Sequence, residues 1–556
     1  MKSKFAPSEE TLVHLVALLT AAMGVINLLS AVTPALMNRL RLLEQFSPFS
    51  VIRGGHLASA LAGFALLVLS EGLWRRKQLG WGLTLVTLII SIIAHLLKGL
   101  YYEEATLAAL LVGLLIYLRP SFHAHSDTPS VRQGLKVLLA ALTFTVVYGV
   151  IGFYLLDRHF QISFGFWTAL RQTIVMFTQF YNPGLQPISG FGRYFADSIY
   201  AVGAATTGYA LVMLLRPVLN RRPASDEERS RAWEIVRSYG STSLARYAVL
   251  DDKKFFFSSK GVLISHVVEN RVALVLGDPI GEPADVSTSI SDFKSYCGTN
   301  DWLAAYYQVM PAYLDAYKSA GFEIMTLGQE AIVDLSLFTL EGSDNKTLRN
   351  GYNKLVKRGY HYDVIQPPFS PRMLRELNSI SNEWLGSRRA TEMRFSLGWF
   401  DEQYLNTCPI LLVRDREGFI EAFANIVTEF QNHGVAVDLM RHRSHMESGL
   451  MDFLFVSLFL WGKEQNYATF NLGLSALSGV GEHSDDPAIE RALHYIYENV
   501  SRFYNFRGLH VFKEKFHPAW SPRFLVYPGP ASLPAVGVAL LRATYGNDML
   551  SFFRTG

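Results

Sequence analysis

The sequence predicts two unlike objects on one chain, a multi-pass α-helical membrane domain over residues 1–222 and an α/β soluble domain beyond it. Three observations carry that expectation. Several stretches before residue 220 are apolar for about 18 residues or more, the length needed to cross a ~30 Å hydrocarbon core. The charge changes sign along the chain, with 18 basic against 9 acidic residues up to residue 222 and 33 against 39 after it. Short β-rich runs alternating with amphipathic helices begin only past residue 230. Charged residues make up 18% of the 556, below the roughly 25% usual for soluble chains, which also fits membrane burial. Disorder, collagen-like repeats and a disulfide scaffold are excluded. Cys297 and Cys408 are too few for a Cys-based zinc site and fit a reducing setting.

In the first domain, spans are expected near residues 12–32, 56–73, 79–97, 105–118, 137–156 and 199–215, the fourth being the weakest. The segment 162–180 holds Arg171 and Gln172 at its centre and reads as an interfacial or re-entrant helix. Spans recurring far past residue 30 exclude a cleaved signal peptide. Lys2 and Lys4, Arg75-Arg76-Lys77, Arg119 with Arg132 and Lys136, and Arg216 with Arg221-Arg222 share one side of a six-span zigzag, against Arg39, Arg41 and Arg53. Positive loops stay cytoplasmic, so both termini should face the cytoplasm. His95 and Lys98 are polar within a span and read as a span end rather than a transport path.

A polar linker is expected at 223–230. Strands follow at 255–258, 262–268 and 273–276, the last closing into the turn Gly277-Asp278-Pro279-Ile280-Gly281. A helix near 289–296, a strand at 304–308, a helix at 312–320 and strands at 322–325 and 331–335 complete a first subdomain, 223–335. The second, 336–556, repeats the theme: helices 345–358 and 371–385, strands 410–414, 419–429 and 434–440, helix 449–464, strand 467–472, helix 488–503 and strand 524–527. A duplicated α/β domain with a mixed sheet is expected. The apolar run 450–461 is too short to span and holds Asp452, so it reads as a core helix.

Several chemistries have no signature. There is no Gly-x-x-x-x-Gly-Lys-Ser/Thr loop and no Gly-x-Gly-x-x-Gly after a strand. Ser475 lacks the second glycine of a nucleophile elbow. His442 and His445 have no third ligand at a known spacing, so no metal and no cofactor are expected.

The sharpest local cluster is Val435-Ala-Val-Asp438-Leu-Met-Arg441-His-Arg443, a strand ending in a carboxylate and a guanidinium three apart, within expected ion-pair reach. Such a carboxylate can orient a hydroxyl or an ammonium, and the guanidinium can hold a phosphate or an oxyanion. A structural pair closing the strand end is the equal alternative. Two basic runs stand out in this acidic half. Lys346, Arg349, Lys354, Lys357 and Arg358 share one predicted helix, and Arg502, Arg507, Lys513, Lys515 and Arg523 are interleaved with Phe503, Tyr504, Phe506, Phe512, Phe516 and Trp520. Basic residues among aromatics suit a phosphate-rich partner, RNA or anionic headgroups.

At these residues the chain resembles the aminoacyl-phosphatidylglycerol synthase family, which includes the lysylphosphatidylglycerol synthases. The resemblance rests on Leu276-Gly-Asp-Pro-Ile-Gly281, Phe395-Ser-Leu-Gly398, Val437-Asp-Leu-Met-Arg441, Met451-Asp452, Phe470-Asn-Leu-Gly473 with Leu477-Ser-Gly-Val-Gly481, Tyr504-Asn-Phe-Arg-Gly508, and Phe512-Lys-Glu-Lys-Phe516 with Pro518 and Trp520. It implies a tandem acyltransferase fold of the GNAT type. It also implies transfer of an amino acid, most often lysine, from aminoacyl-tRNA to phosphatidylglycerol, lowering membrane negative charge and giving resistance to cationic peptides. The family's Asp-x-x-Arg pair falls on Asp438 and Arg441, and its basic Lys on Lys513 or Lys515. Lys513, Lys515, Arg523, Tyr504, Phe395, Asp452 and Asp278 are the expected substrate contacts. Arg349, Lys354, Lys357, Arg358, Arg502 and Arg507 are expected on tRNA or lipid phosphate. Longer members carry further flippase spans for which this chain has no room, so flipping is not carried over. The implied setting is the cytoplasmic membrane with the catalytic domain in the cytoplasm. Oligomeric state stays open, a homodimer included.

The chemistry agrees. An aminoacyl ester is already activated, so its transfer needs no ATP, and no CoA-gripping Gln/Arg-x-x-Gly-x-Gly/Ala loop is present. The rivals are an aminoacyl-tRNA-dependent transferase acting on another lipid or a peptidoglycan precursor, and a membrane transporter with a regulatory cytosolic domain.

Overall fold

The computed structural model describes residues 9–32, 49–99, 101–124, scattered positions between 139 and 154, 165–178, 224–388, 391–481, a few positions between 487 and 491, and 506–546. The chain forms two compact units, residues 1–219 with the segment 298–302, and residues 220–297 with 303–556.

The first unit contains helices α1 (Glu9–Val32), α2 (Phe49–Trp74), α3 (Gln78–Gly99), α4 (Tyr102–Tyr117) and α5 (Phe166–Thr178). Two stretches among the described residues are long and apolar enough to cross a bilayer, Thr11–Ser30 and Gln78–Leu97, with a shorter apolar stretch at Leu61–Trp74. At 16 residues α4 reaches about 24 Å, short of a ~30 Å hydrocarbon core. The expected span at 199–215 lies outside the described residues, and most of 137–156 does too. Helices α1 and α2 approach closely at Gly24 and Gly63, where a Cβ on either would press on the other's carbonyl oxygen. His95 is fully buried and its Nε2 lies 2.7 Å from Asn27 Oδ1, while Asn27 Nδ2 donates to Ser91 Oγ at 2.7 Å. This polar side chain therefore joins α1 and α3.

In the second unit the expected linker at 223–230 is instead the start of helix α6 (Asp226–Tyr239). Ser225 accepts from Glu228 N while the Glu228 carboxylate accepts from Ser225 N, a reciprocal cap that starts a helix from a polar run. A single sheet of eleven strands follows. The first set comprises β1 (Lys254–Phe257), β2 (Leu263–Glu269), β3 (Val272–Leu276), helix α7 (Pro283–Thr299), β4 (Leu303–Val309), helix α8 (Leu314–Ser319) and β5 (Glu323–Asp334). The expected strands at 322–325 and 331–335 are thus one long strand, bent at Gly328 where φ is positive. The second set comprises helix α9 (Lys346–Lys357), β6 (His361–Ile365), helix α10 (Pro371–Arg388), β7 (Ile410–Arg414), β8 (Ile420–Thr428), β9 (Gly434–His442), helix α11 (Leu450–Glu464), β10 (Thr469–Ala476), helix α12 (Phe506–Glu514) and β11 (Ala519–Tyr527). Helix α13 (Leu533–Tyr545) closes the described chain, and the expected helix at 488–503 lies almost wholly outside it.

The strand order is β1-β2-β3-β4-β11-β5-β10-β9-β8-β7-β6. Each set runs as an antiparallel meander, then one parallel pair across a helix, β3 with β4 and β9 with β10. Each set's last strand then sits among the strands of the other, β11 between β4 and β5, and β5 between β11 and β10. Neither set completes its sheet alone, so the seam between them is a place where residues from both meet. Helix α11 is the core helix that its apolar run predicts, with Leu450, Phe453, Leu454, Val456, Leu458 and Phe459 at or near zero exposure against β8 to β10.

Candidate active site

Asp438 and Arg441 both lie within β9, where residues three apart should point to opposite faces. A β-bulge changes that. Met440 pairs with Ala424 and Val437 with Ile426, so Asp438 and Leu439 together stand opposite Asn425, whose Oδ1 accepts from Leu439 N at 2.7 Å. The extra residue flips the alternation and brings Asp438 and Arg441 to the side covered by α10.

The expected Asp438–Arg441 ion pair is replaced by separate partners. Asp438 accepts from Gly398 N at 3.0 and 2.9 Å and from Tyr404 Oη at 2.6 Å. Arg441 pairs with Glu392 at 2.9 Å, donates to Ser381 Oγ at 3.3 Å, and stacks with its guanidinium carbon 4.2 Å from the Trp384 ring centre. Burial pushes Asp438 up to about 6, opposed by the Tyr404 and Gly398 hydrogen bonds and the Arg441 charge. Pairing between β9 and β10 stops at Ala436 and Asn471, two residues before Asp438.

A second polar cluster occupies the seam. Arg523 on β11 and Glu330 on β5 form a buried ion pair. Lys513, at the end of α12, is 5% exposed and donates to Gly473 O at 2.8 Å and Leu474 O at 2.9 Å, at a bulge in β10. Burial lowers its amine to about 8, with Glu330 pulling the other way. Burial and Glu330 raise Glu429 to about 7, although it accepts from Ser243 N at 3.1 Å. Asp278 also feels Arg523. It accepts from Met310 N at 2.9 Å and Tyr317 Oη at 3.1 Å, and burial lifts it to about 6. Buried Tyr247 lies within electrostatic range of both Asp438 and Glu330.

Phe395, expected among the substrate contacts, is fully buried and meets Asp252, Lys253 and Tyr307 instead. Lys515 and Asp452 pair with each other at 3.2 Å near the surface. On α9, Arg349 donates to Leu340 O and Gly342 O and Arg358 pairs with Glu447, whereas Lys354 and Lys357 are exposed, as is Arg507 on α12. Tyr504 and Arg502 lie outside the described residues. Glu392, Tyr404, Trp384, Glu330 and Glu429 are not legible from local pattern, because each comes from a segment distant in sequence. The Phe395–Gly398 run was the one available signal.

The profile of the family described as phosphatidylglycerol lysyltransferase, C-terminal, matches residues 233–527. The phosphatidylglycerol lysyltransferase of Bacillus subtilis (strain 168) is 31% identical over 496 residues, 87% of this chain and 54% of that one. That of Staphylococcus xylosus is 35% identical over 315 residues, 56% of this chain and 37% of that one. This chain thus spans about half the length of the first of these relatives and less of the second. Among solved structures, L-PGS from Bacillus licheniformis is 38% identical with a TM-score of 0.53, covering 58% of this chain and 97% of its own. The C-terminal domain of a putative lysylphosphatidylglycerol synthetase from Agrobacterium fabrum is 32% identical with a TM-score of 0.52, covering 58% and 98%. The bulged strand with Asp438 and Arg441 and the strand-exchanged sheet around it lie within the matched residues, and the chain belongs to the aminoacyl-phosphatidylglycerol synthase family.

Proposed function

We propose that this protein transfers an aminoacyl group, lysyl in the first instance, from aminoacyl-tRNA to the glycerol hydroxyl of phosphatidylglycerol. The observation that carries this reading is the Asp438 carboxylate, held by a backbone N–H and a tyrosine O–H beside a guanidinium, in the domain that the family profile matches. The reaction exchanges one ester for another. The lipid hydroxyl attacks the aminoacyl carbonyl, the bond to the ribose oxygen breaks, and the hydroxyl proton ends on that oxygen. No external energy source is required.

Above about pH 6 Asp438 is ionised and orients the attacking hydroxyl or the aminoacyl ammonium. Arg441 spends three of its five N–H groups on Glu392, Ser381 and Met440 O, which leaves donors for the developing oxyanion. Lys513, cationic below about pH 8, adds positive charge at the seam. The remaining expected contacts are assigned in the same reading: Lys515, Asp452, Arg523 and Tyr504 to the substrates, and Lys354, Lys357 and Arg507 with Arg349, Arg358 and Arg502 to tRNA or lipid phosphate. Tandem acyltransferase-like halves of the GNAT type, several spans in the cytoplasmic membrane and a cytoplasmic catalytic domain complete it.

The test supplies the full-length protein in lipid vesicles with lysyl-tRNA and phosphatidylglycerol and analyses the lipids by mass spectrometry. Lysyl-phosphatidylglycerol is expected with wild type and not with Asp438→Asn. Release of free lysine alone would overturn the reading.

A further inference from the structure

The segment 392–404 carries three of the groups that touch the Asp438–Arg441 pair, including both that hold Asp438. Glu392 holds Arg441, Gly398 N–H and Tyr404 O–H hold Asp438, and Asp401 caps the turn that presents Tyr404, its Oδ1 accepting from Tyr404 N at 2.7 Å. It lies between α10 and β7 and is irregular up to a four-residue helical turn, Glu402–Leu405, so over most of its length its own backbone supplies little rigidity.

What fixes it comes from the other set of strands. Lys253 immediately precedes β1 and is 1% exposed. Its Nζ donates to Phe395 O at 2.8 Å and to the two oxygens of neighbouring Asp252 at 2.7 and 2.8 Å. Asp252 Oδ2 accepts from Phe395 N at 3.2 Å, so one carboxylate–ammonium pair grips both backbone polar groups of one residue. Phe395 is fully buried and sits at a φ of 69°, a left-handed conformation costly for a phenylalanine. Its ring lies 5.4 Å from the Lys253 ammonium and 6.0 Å from the Tyr307 ring of β4. Three residues on, Gly398 meets Asp438 so closely that an added Cβ would collide with Oδ2 and with the Tyr404 ring. A buried charge pair beyond contact with the reacting carboxylate, fastened to a strained residue of the loop that does contact it, is an expensive arrangement for holding a surface connection.

We propose that Lys253 and Asp252 are positioning residues for the transfer, a clamp on Phe395 that sets Gly398 N–H and Tyr404 O–H against the Asp438 carboxylate. The proposal rests on the reading of Asp438 as the carboxylate at the reacting centre. It gives the first set of strands a function in the chemistry, as the anchor of a loop that belongs to the second.

The test uses the full-length protein in lipid vesicles and compares wild type, Lys253→Met, Tyr404→Phe and Asp438→Asn by steady-state transfer across pH and by hydrogen exchange of peptides covering 391–405. For Lys253→Met, kcat should fall roughly tenfold with KM for both substrates within about twofold, since loss of orientation acts on the transition state. Exchange in the peptide should rise about tenfold while that of the central strands stays unchanged. The acid limb of the pH profile should move to higher pH, because the two hydrogen bonds that favour ionised Asp438 weaken. Wild-type exchange with wild-type kcat in Lys253→Met overturns the clamp, and so does a raised KM at unchanged kcat. If Lys253→Met fails to fold, Tyr404→Phe decides, since it deletes one hydroxyl. A lower kcat with the acid limb shifted upward supports the proposal, and an unchanged profile overturns it. Full activity in Asp438→Asn would sink the reading of the site instead, and the exchange of Lys253→Met would then decide the clamp alone.

Discussion

Two aspartates at corresponding ends of the two parallel strand pairs are held by the same kinds of donor and arrive at different ends. Asp278 follows β3 and Asp438 lies two residues past the last pair of β9 with β10, and each accepts one backbone N–H and one tyrosine O–H. Burial raises both to about 6. The difference is where the donors come from. Met310 and Tyr317 follow β4, the parallel neighbour of β3, so Asp278 ties the two strands' exits together. Gly398 and Tyr404 come from a separate loop, and β9 and β10 part before Asp438 is reached. A carboxylate that bridges its own strand pair is a staple. One that is held from outside, beside Arg441 and Glu392, is the one that the proposed transfer assigns to a substrate. Under the proposed function, donor topology and not proton affinity separates the two carboxylates.

The most damaging test of this contrast exchanges one carboxylate at a time. Asp438→Asn should lower transfer by at least ~100-fold with the fold retained, whereas Asp278→Ala should keep transfer within about threefold below its melting temperature. Asp278→Ala should instead lose about 1–3 kcal/mol of stability, read as a drop of a few degrees in thermal unfolding, because Met310 N and Tyr317 Oη lose their acceptor. Equal inactivation of the two would erase the distinction. Arg441→Lys keeps the charge but gives up the planar grip on Glu392 and the stacking on Trp384, and transfer should fall about 10- to 100-fold in the same vesicle assay.

The pH profile gives a gentler measure. Transfer should rise through about pH 6 as Asp438 ionises and fall through about pH 8 as Lys513 loses its proton. Lys513→Arg, which keeps its proton at higher pH, should remove the upper limb. Glu429→Gln is expected to have the smallest effect. Burial raises this carboxylate to about 7, so its ionised form costs folding free energy that appears as pH rises from the ordinary value of 4.5 through 7. The glutamine variant should be more stable by about 2 kcal/mol or less at pH 8 and show no gain at pH 4, as followed by thermal unfolding.

Much of the soluble fold is legible in advance. The apolar runs at 450–461 and 410–414 announce a core helix and a buried strand, and the structure buries most residues of both. Helix α6 was hidden because a capping box and a linker share polar residues, and only the reciprocal Ser225–Glu228 bonds separate them. Strand β5 appeared as two because Gly328 and the polar stretch beside it break its alternation, while Glu330 within it is satisfied by Arg523 from β11. The aromatic–basic run after residue 502 holds a helix and then a strand. Phe512 and Phe516 pack on Phe455, and Lys513 turns inward, so the run is partly core rather than wholly a docking surface.

Residue type and order along the chain determined the apolar stretches, the strand–helix alternation and the Asp438–Arg441 spacing, because hydrophobic burial and backbone periodicity act over neighbouring residues. Tertiary structure alone decided which face those two side chains share, through one bulge opposite Asn425, and which partners they take, through a loop gripped by Lys253 from more than a hundred residues away. Hydrogen bonds and ion pairs depend on distances that only the closed sheet sets, and the exchange of β5 and β11 between the two sets of strands brings the seam's charges together.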